Sequence, residues 1–165
     1  MRLSYMYQYL VTILIKVCYI CKKNNMYTGL LHLHSTLRYV VLILILVSIF
    51  QALTAGNKPY TNTNKKINLF TLISAHLQLV IGLVLYFISP NVDFSKMSDP
   101  VFRYWNVEHI TMMIIGIALI TVGYAKAKRA VEAKSKHKAI GIFYTLAVLI
   151  ILVSIFSMKG RNPWY

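Results

Sequence analysis

Charge is what this chain has least of: charged residues make up 13% of its 165 positions, against about 25% in a soluble domain. Acidic groups are rarer still, with Asp+Glu at 4 against Lys+Arg at 18. Prolines (4), glycines (7) and cysteines (2) are also few. The glycines form no phosphate-binding loop, and no hydrolase, transferase or nucleotide-binding pattern is present. Cys18-x-x-Cys21 is followed by lysine rather than histidine, which excludes covalent c-type haem attachment. What fills the chain instead is apolar: hydrophobic types reach 58% and the mean hydropathy is +0.59. A water-soluble globular enzyme, a disordered chain and a disulfide scaffold are poor fits to that composition, and a lipid bilayer is the solvent it suits. The net charge of +14 does not signal nucleic acid, because the basic residues sit mostly in short connections between long apolar runs. Anionic headgroups and topology setting explain that pattern better.

Four apolar segments, about 30–53, 67–89, 105–124 and 139–158, each approach the ~20 residues that cross a bilayer core. They are continuously apolar rather than alternating, so they predict helices and not barrel strands. The fold class expected is all-α, an integral membrane four-helix bundle over residues 26–165. Lys58, Lys65, Lys66, Lys126, Lys128, Arg129, Lys134, Lys136 and Lys138 fall in the loops on one side. Only Lys96, Arg103, Lys159 and Arg161 fall on the other. The positive-inside rule makes the richer side cytoplasmic, in a multi-pass protein of the bacterial plasma membrane. Tyr27, Tyr86, Phe87, Phe102, Tyr104, Trp105, Trp164 and Tyr165 gather on the outer side as half of an interfacial belt.

Residues 1–25 do not fit that plan. As a fifth span they would bury Lys16 and place Lys22 and Lys23 outside. As a signal peptide they lack a small-residue cleavage site. The reading preferred here is an upstream start ahead of Met26, which makes residues 1–25 a dispensable extension.

Function is sought among the few polar groups within the spans, where each is expensive. Span one carries His32, His34 and Arg38, span two His76 and Gln78, and span three Glu108 and His109. His34 and Arg38, four apart, share a helix face, whereas His32 lies about 200° round from His34. By helix rise, His34 and His109 both sit ~7–11 Å below the outer belt and His76 ~15 Å in. A faint repeat, His34-Ser-Thr-Leu against His109-Ile-Thr-Met, supports equal depth for the first two. Two imidazoles level across a bundle are what a low-spin b-type haem needs, which makes His34 and His109 the expected iron ligands. His76 is an alternative ligand, Arg38 a partner for a propionate, and Glu108 is expected beside the cofactor with Arg38. In a purely structural reading, Arg38 pairs with Glu108, the only carboxylate in a span. His137 is expected in a solvated basic loop.

Three stretches are distinctive: Gly29-Leu-Leu-His-Leu-His-Ser-Thr-Leu-Arg38, Ala75-His-Leu-Gln-Leu-Val-Ile-Gly-Leu-Val-Leu-Tyr-Phe-Ile-Ser-Pro90 and Val107-Glu-His-Ile-Thr-Met-Met113. With these, and Lys136-His-Lys138 ahead of Ile142-Phe-Tyr144, the chain from Met26 onward resembles a family of small bacterial four-span membrane proteins catalogued as cytochrome b-like. The resemblance implies a membrane haem b protein in an electron-transfer setting. It supplies no ligand assignment, so His34, His76 and His109 rest on the residue argument above. The expected partners are the bilayer and a quinol or another respiratory membrane protein. Two other classes stay open: a non-redox accessory or assembly protein, and a small metal or proton translocator using His76, Glu108 and Arg38 as a relay.

Overall fold

The computed structural model of the protein describes residues 26–157. The N-terminal extension, Lys159, Arg161, Trp164 and Tyr165 lie outside the described residues. Regular structure within them is entirely helical. Four helices are long and apolar enough to cross a membrane: α1 (Met26–Thr54), α2 (Asn62–Ile88), α3 (Pro100–Arg129) and α4 (Ala133–Ser157). This is the all-α membrane bundle that the sequence predicts.

Most of the helices run past the expected spans, because apolar length marks the hydrocarbon and caps mark the helix. At α2, Thr61 Oγ1 accepts from Asn64 N at 3.3 Å while Asn64 Oδ1 accepts from Thr61 N at 2.8 Å. This reciprocal cap starts the helix at Asn62 instead of near residue 67. At α3, Asp99 Oδ1 accepts from Val101 N at 2.7 Å with Pro100 in the first turn, which sets the start at Pro100. Ser89 ends α2 in an extended conformation, as the residue before a proline prefers. Gly56, at φ 54, makes the turn after α1, a region where a Cβ is costly.

The short connection at residues 130–132 makes α3 and α4 antiparallel neighbours. In the bundle α1 packs on α2 and α4, and α3 on α4 and α2, which leaves α1 and α3 on a diagonal. The α3–α4 seam is the most intimate. A Cβ added at Gly123 would meet Phe143 Cβ at 2.7 Å, and one at Gly116 would meet Ile151 Cγ1 at 3.1 Å. Without a hydrophobic force between helices in lipid, such small-residue contacts supply packing. Ser48 and Thr71 hydroxyls join α1 to α2 at 3.0 Å. Ile45, Ile120, Tyr144 and Ala147 are fully buried at the centre, while Phe50, Phe87, Val153 and Phe156 cover the outside. Of the packed helix pairs, α2 and α3 make the loosest seam.

Three sequence expectations need correction. His137 is not in a solvated loop: α4 begins four residues before it, and it is 5% exposed. The Tyr60 ring packs edge-on against it at 5.0 Å, and Asn68 Nδ2 donates to the Tyr60 hydroxyl at 2.7 Å. Burial pushes the Tyr60 phenol above its usual pKa. Tyr104 is not a belt residue, being 0% exposed. Trp105 likewise turns inward, with a buried indole nitrogen.

Candidate functional site

Between α1, α2 and α3, and floored by Ile151 and Ile155 of α4, lies a cavity of about 480 Å³. That is within the ~300–1,000 Å³ of small-molecule and cofactor sites. Its wall is mainly aliphatic, including Val41, Leu42, Leu79, Leu83, Met113 and Ile117. Into this wall come His34 and Arg38 from α1, Gln78 from α2, and Trp105 and His109 from α3. The two histidines therefore enter one cavity from diagonal helices.

Each side chain is placed by local structure. The His34 ring lies over Gly82, where an added Cβ would meet Cε1 at 3.0 Å. Gln78 Nε2 donates to the His34 carbonyl at 2.8 Å, tying α2 to α1 at the same level. His109 is set by a wide turn that the sequence did not announce: residues Tyr104–Glu108 form a π turn in which His109 N donates to the Tyr104 carbonyl. Residues five apart on an α-helix point about 140° away from one another; the wider turn brings them to one side. Tyr104 Oη is 3.2 Å from His109 Nδ1, and Ser154 Oγ of α4 is 3.4 Å from it. Asn106 donates to the Asp93 carbonyl at 2.8 Å, and Tyr86 donates to the Asn106 carbonyl at 2.9 Å. These bonds fasten the α2–α3 connection, and Asn91 and Val92 of that connection also line the cavity.

The polar bookkeeping of the wall is incomplete. His34 Nδ1, Gln78 Oε1 and Trp105 Nε1 are buried without a hydrogen-bond partner. Such groups are rare in native interiors and mark strain, a role in chemistry or an unseen partner. Arg38 donates to the hydroxyl of Tyr39 at 3.2 Å, with its guanidinium 4.9 Å from that ring centroid. Among the described residues the ion pairs are Lys96–Asp93 and Arg103–Glu108. The expected pairing of Arg38 with Glu108 is thus replaced by Arg103–Glu108 at 3.0 Å. The π turn and the early start of α3 place the arginine five residues before Glu108 within its reach.

Not every candidate reaches the cavity. His76 is exposed, with Nδ1 2.8 Å from the Leu72 carbonyl and Nε2 3.5 Å from Thr121 Oγ1 across the α2–α3 seam. Neither His76 nor Glu108 lines the cavity, so the relay of His76, Glu108 and Arg38 is not brought together. His32, expected to point away from the site, is exposed yet borders the cavity. Gly82, Tyr104, Trp105 and Ser154 carry the site's geometry but give no polar signal within a span that separates them from ordinary packing. Among the described residues no group of three or more His, Cys, Asp or Glu could hold a metal ion; an axial pair of histidines on a haem is a different requirement. Set against protein-family models, curated proteins and solved structures, the chain matches none.

Proposed function

We propose that the cavity binds haem b and that the protein takes part in membrane electron transfer. The observation that carries this reading is that His34 and His109 line one apolar, cofactor-sized cavity together with Arg38, which has no carboxylate partner among the described residues. The residues present fit the group. An imidazole from each of two diagonal helices offers nitrogen ligands, the guanidinium suits a propionate, and the walls are mainly aliphatic. When bound, an iron porphyrin supplies one-electron redox chemistry at a potential set by its ligands and surroundings. The chain's contribution is to hold the imidazoles and balance the carboxylates. A quinol or another respiratory membrane protein is the partner class this chemistry calls for. The basic loops, carrying Lys58 and Lys126 among others, are assigned to the cytoplasm by charge, and the cavity then opens in the outer half of the membrane.

The test is a reduced-minus-oxidised absorption spectrum of the full chain purified in detergent after expression with adequate haem supply. A low-spin b-type spectrum is expected, lost or made high-spin in His34→Ala and His109→Ala and retained in His76→Ala. A wild type without chromophore, or a spectrum abolished by His76→Ala alone, overturns the assignment. Sidedness is read separately by cysteine labelling at Ser95 and Lys134 in a Cys18→Ser, Cys21→Ser background. Labelling of position 134 from the periplasm alone would overturn the orientation.

A further inference from the structure

We infer that Tyr104, seated by the π turn and anchored on α4, fixes His109 as the tautomer protonated at Nδ1 and so reserves Nε2 for the cavity. The inference rests on the haem reading for its purpose, but its geometry belongs to the chain alone.

Tyr104 Oη is 2.9 Å from the Ser154 carbonyl oxygen, which can only accept and is the closest of its contacts here, so we place the phenol proton there. With its one proton committed, Oη presents lone pairs to His109 Nδ1 at 3.2 Å. A neutral imidazole carries one N–H and one acceptor nitrogen. The Nδ1–H form donates to Tyr104 Oη at 3.2 Å; in the other form Nδ1 is left to accept from the Ser154 hydroxyl over the longer 3.4 Å. Ser154 Oγ, 3.4 Å from Nδ1 and 3.3 Å from Oη, joins the same cluster.

Tyr104 and Ser154 are both 0% exposed, so water cannot repair the wrong tautomer. The shorter bond to Tyr104 favours the Nδ1–H form by roughly several-fold. The neighbouring ring of Trp105, with its centroid 5.4 Å from that of His109, packs against the imidazole but offers it no acceptor. Tyr104 is therefore a positioning residue. The wide turn is what makes it one, since Tyr104 and His109 would not share a side on a regular helix. A hydrogen-bond acceptor behind a ligating imidazole also raises its basicity, a recurring arrangement at metal sites.

The experiment uses the full chain, purified haem-free in detergent with ¹⁵N-labelled histidine. Two-bond nitrogen–proton correlations distinguish protonated from unprotonated ring nitrogens, and His109→Gln assigns the signals. The expected result is a protonated Nδ1 and a free Nε2 in the wild type. Tyr104→Phe should reduce that preference by roughly several-fold. In haem-loaded protein Tyr104→Phe should shift the midpoint potential upward, because the ligand becomes a poorer donor. A wild type protonated at Nε2 overturns the inference, and this measurement needs no variant to fold. An unchanged tautomer in Tyr104→Phe overturns it as well. If the wild type never takes up haem yet His109 carries its proton on Nδ1, the haem reading fails and the tautomer assignment stands. If a low-spin haem is present and the haem-free His109 is protonated at Nε2, the assignment alone fails.

Discussion

Gly82 offers the sharpest separation between fold and site. A methyl at this position would lie 3.0 Å from His34 Cε1, 3.6 Å from Nδ1 and 3.9 Å from Nε2. Non-bonded carbons settle at about 3.5–4.0 Å, so the ring in Gly82→Ala must retreat by roughly 0.5 Å or more. The obstacle is the end of a side chain and not backbone, so the helix itself need not move. Pushing the imidazole off its rotamer costs on the order of 0.5–1.5 kcal/mol. Against this, alanine is favoured over glycine in a helix interior by up to ~1 kcal/mol. The two nearly cancel, and the stability of the bundle should stay within about 1 kcal/mol of the wild type. Ligand geometry is less forgiving: a site loosens when its groups move by about 0.5 Å. Haem affinity should therefore fall by roughly 10–100-fold, the usual range for a displaced supporting contact. Reversible unfolding in mixed micelles reads the first quantity, and haem retention with the low-spin spectrum reads the second. Wild-type haem retention in Gly82→Ala would refute the role given to the His34 ring position. A loss of stability above ~2 kcal/mol would refute the steric accounting.

Other substitutions test other parts of the structure. Gly123→Ala should destabilise the bundle by about 1–3 kcal/mol, because its Cβ would meet Phe143 Cβ at 2.7 Å and the Tyr144 ring at 3.3 Å; unfolding in mixed micelles measures this, and a neutral result would mean the α3–α4 seam is looser than described. A double-mutant cycle on Arg103 and Glu108 should give a coupling of at most about 1 kcal/mol, as for exposed ion pairs, since their side chains are 46% and 29% exposed. A coupling near the ~3–5 kcal/mol of a broken buried pair would contradict that placement. The Ser95 hydroxyl and amide, and then Lys96, hold the Asp93 carboxylate below its usual pKa. Because the folded value is the lower one, the stabilisation is full above the ordinary carboxylate value and fades as pH falls through the folded value. Ser95→Ala should move the Asp93 titration, followed by carboxylate NMR, upward toward the ordinary value.

The bundle was legible in the sequence because a bilayer demands it: four runs of apolar residues have no other way to satisfy their backbone in hydrocarbon. Equal depth for His34 and His109 was an expectation from rise per residue; the structure shows that both line one cavity. Helix ends were less legible, since the caps at Thr61 and Asp99 lie in polar sequence outside the apolar runs. His137 was misplaced for the same reason, its basic neighbours Lys136 and Lys138 concealing a helical first turn that packs under Tyr60.

By itself the sequence determined the all-α membrane class, the four spans of the described residues and the shortlist of polar groups within them. These follow from composition and from repeats along one chain, which need no knowledge of neighbours. Only the tertiary structure decided which polar groups meet. It turned His76 out of the cavity, gave Glu108 to Arg103 and left Arg38 without a carboxylate among the described residues. It also drew Tyr104 inward onto His109 and Ser154. Those outcomes depend on which helices are adjacent and on one widened turn at Tyr104–Glu108. The physical reason is that a single extra residue per turn rotates everything before it relative to everything after, and no local pattern in hydrophobicity records that rotation.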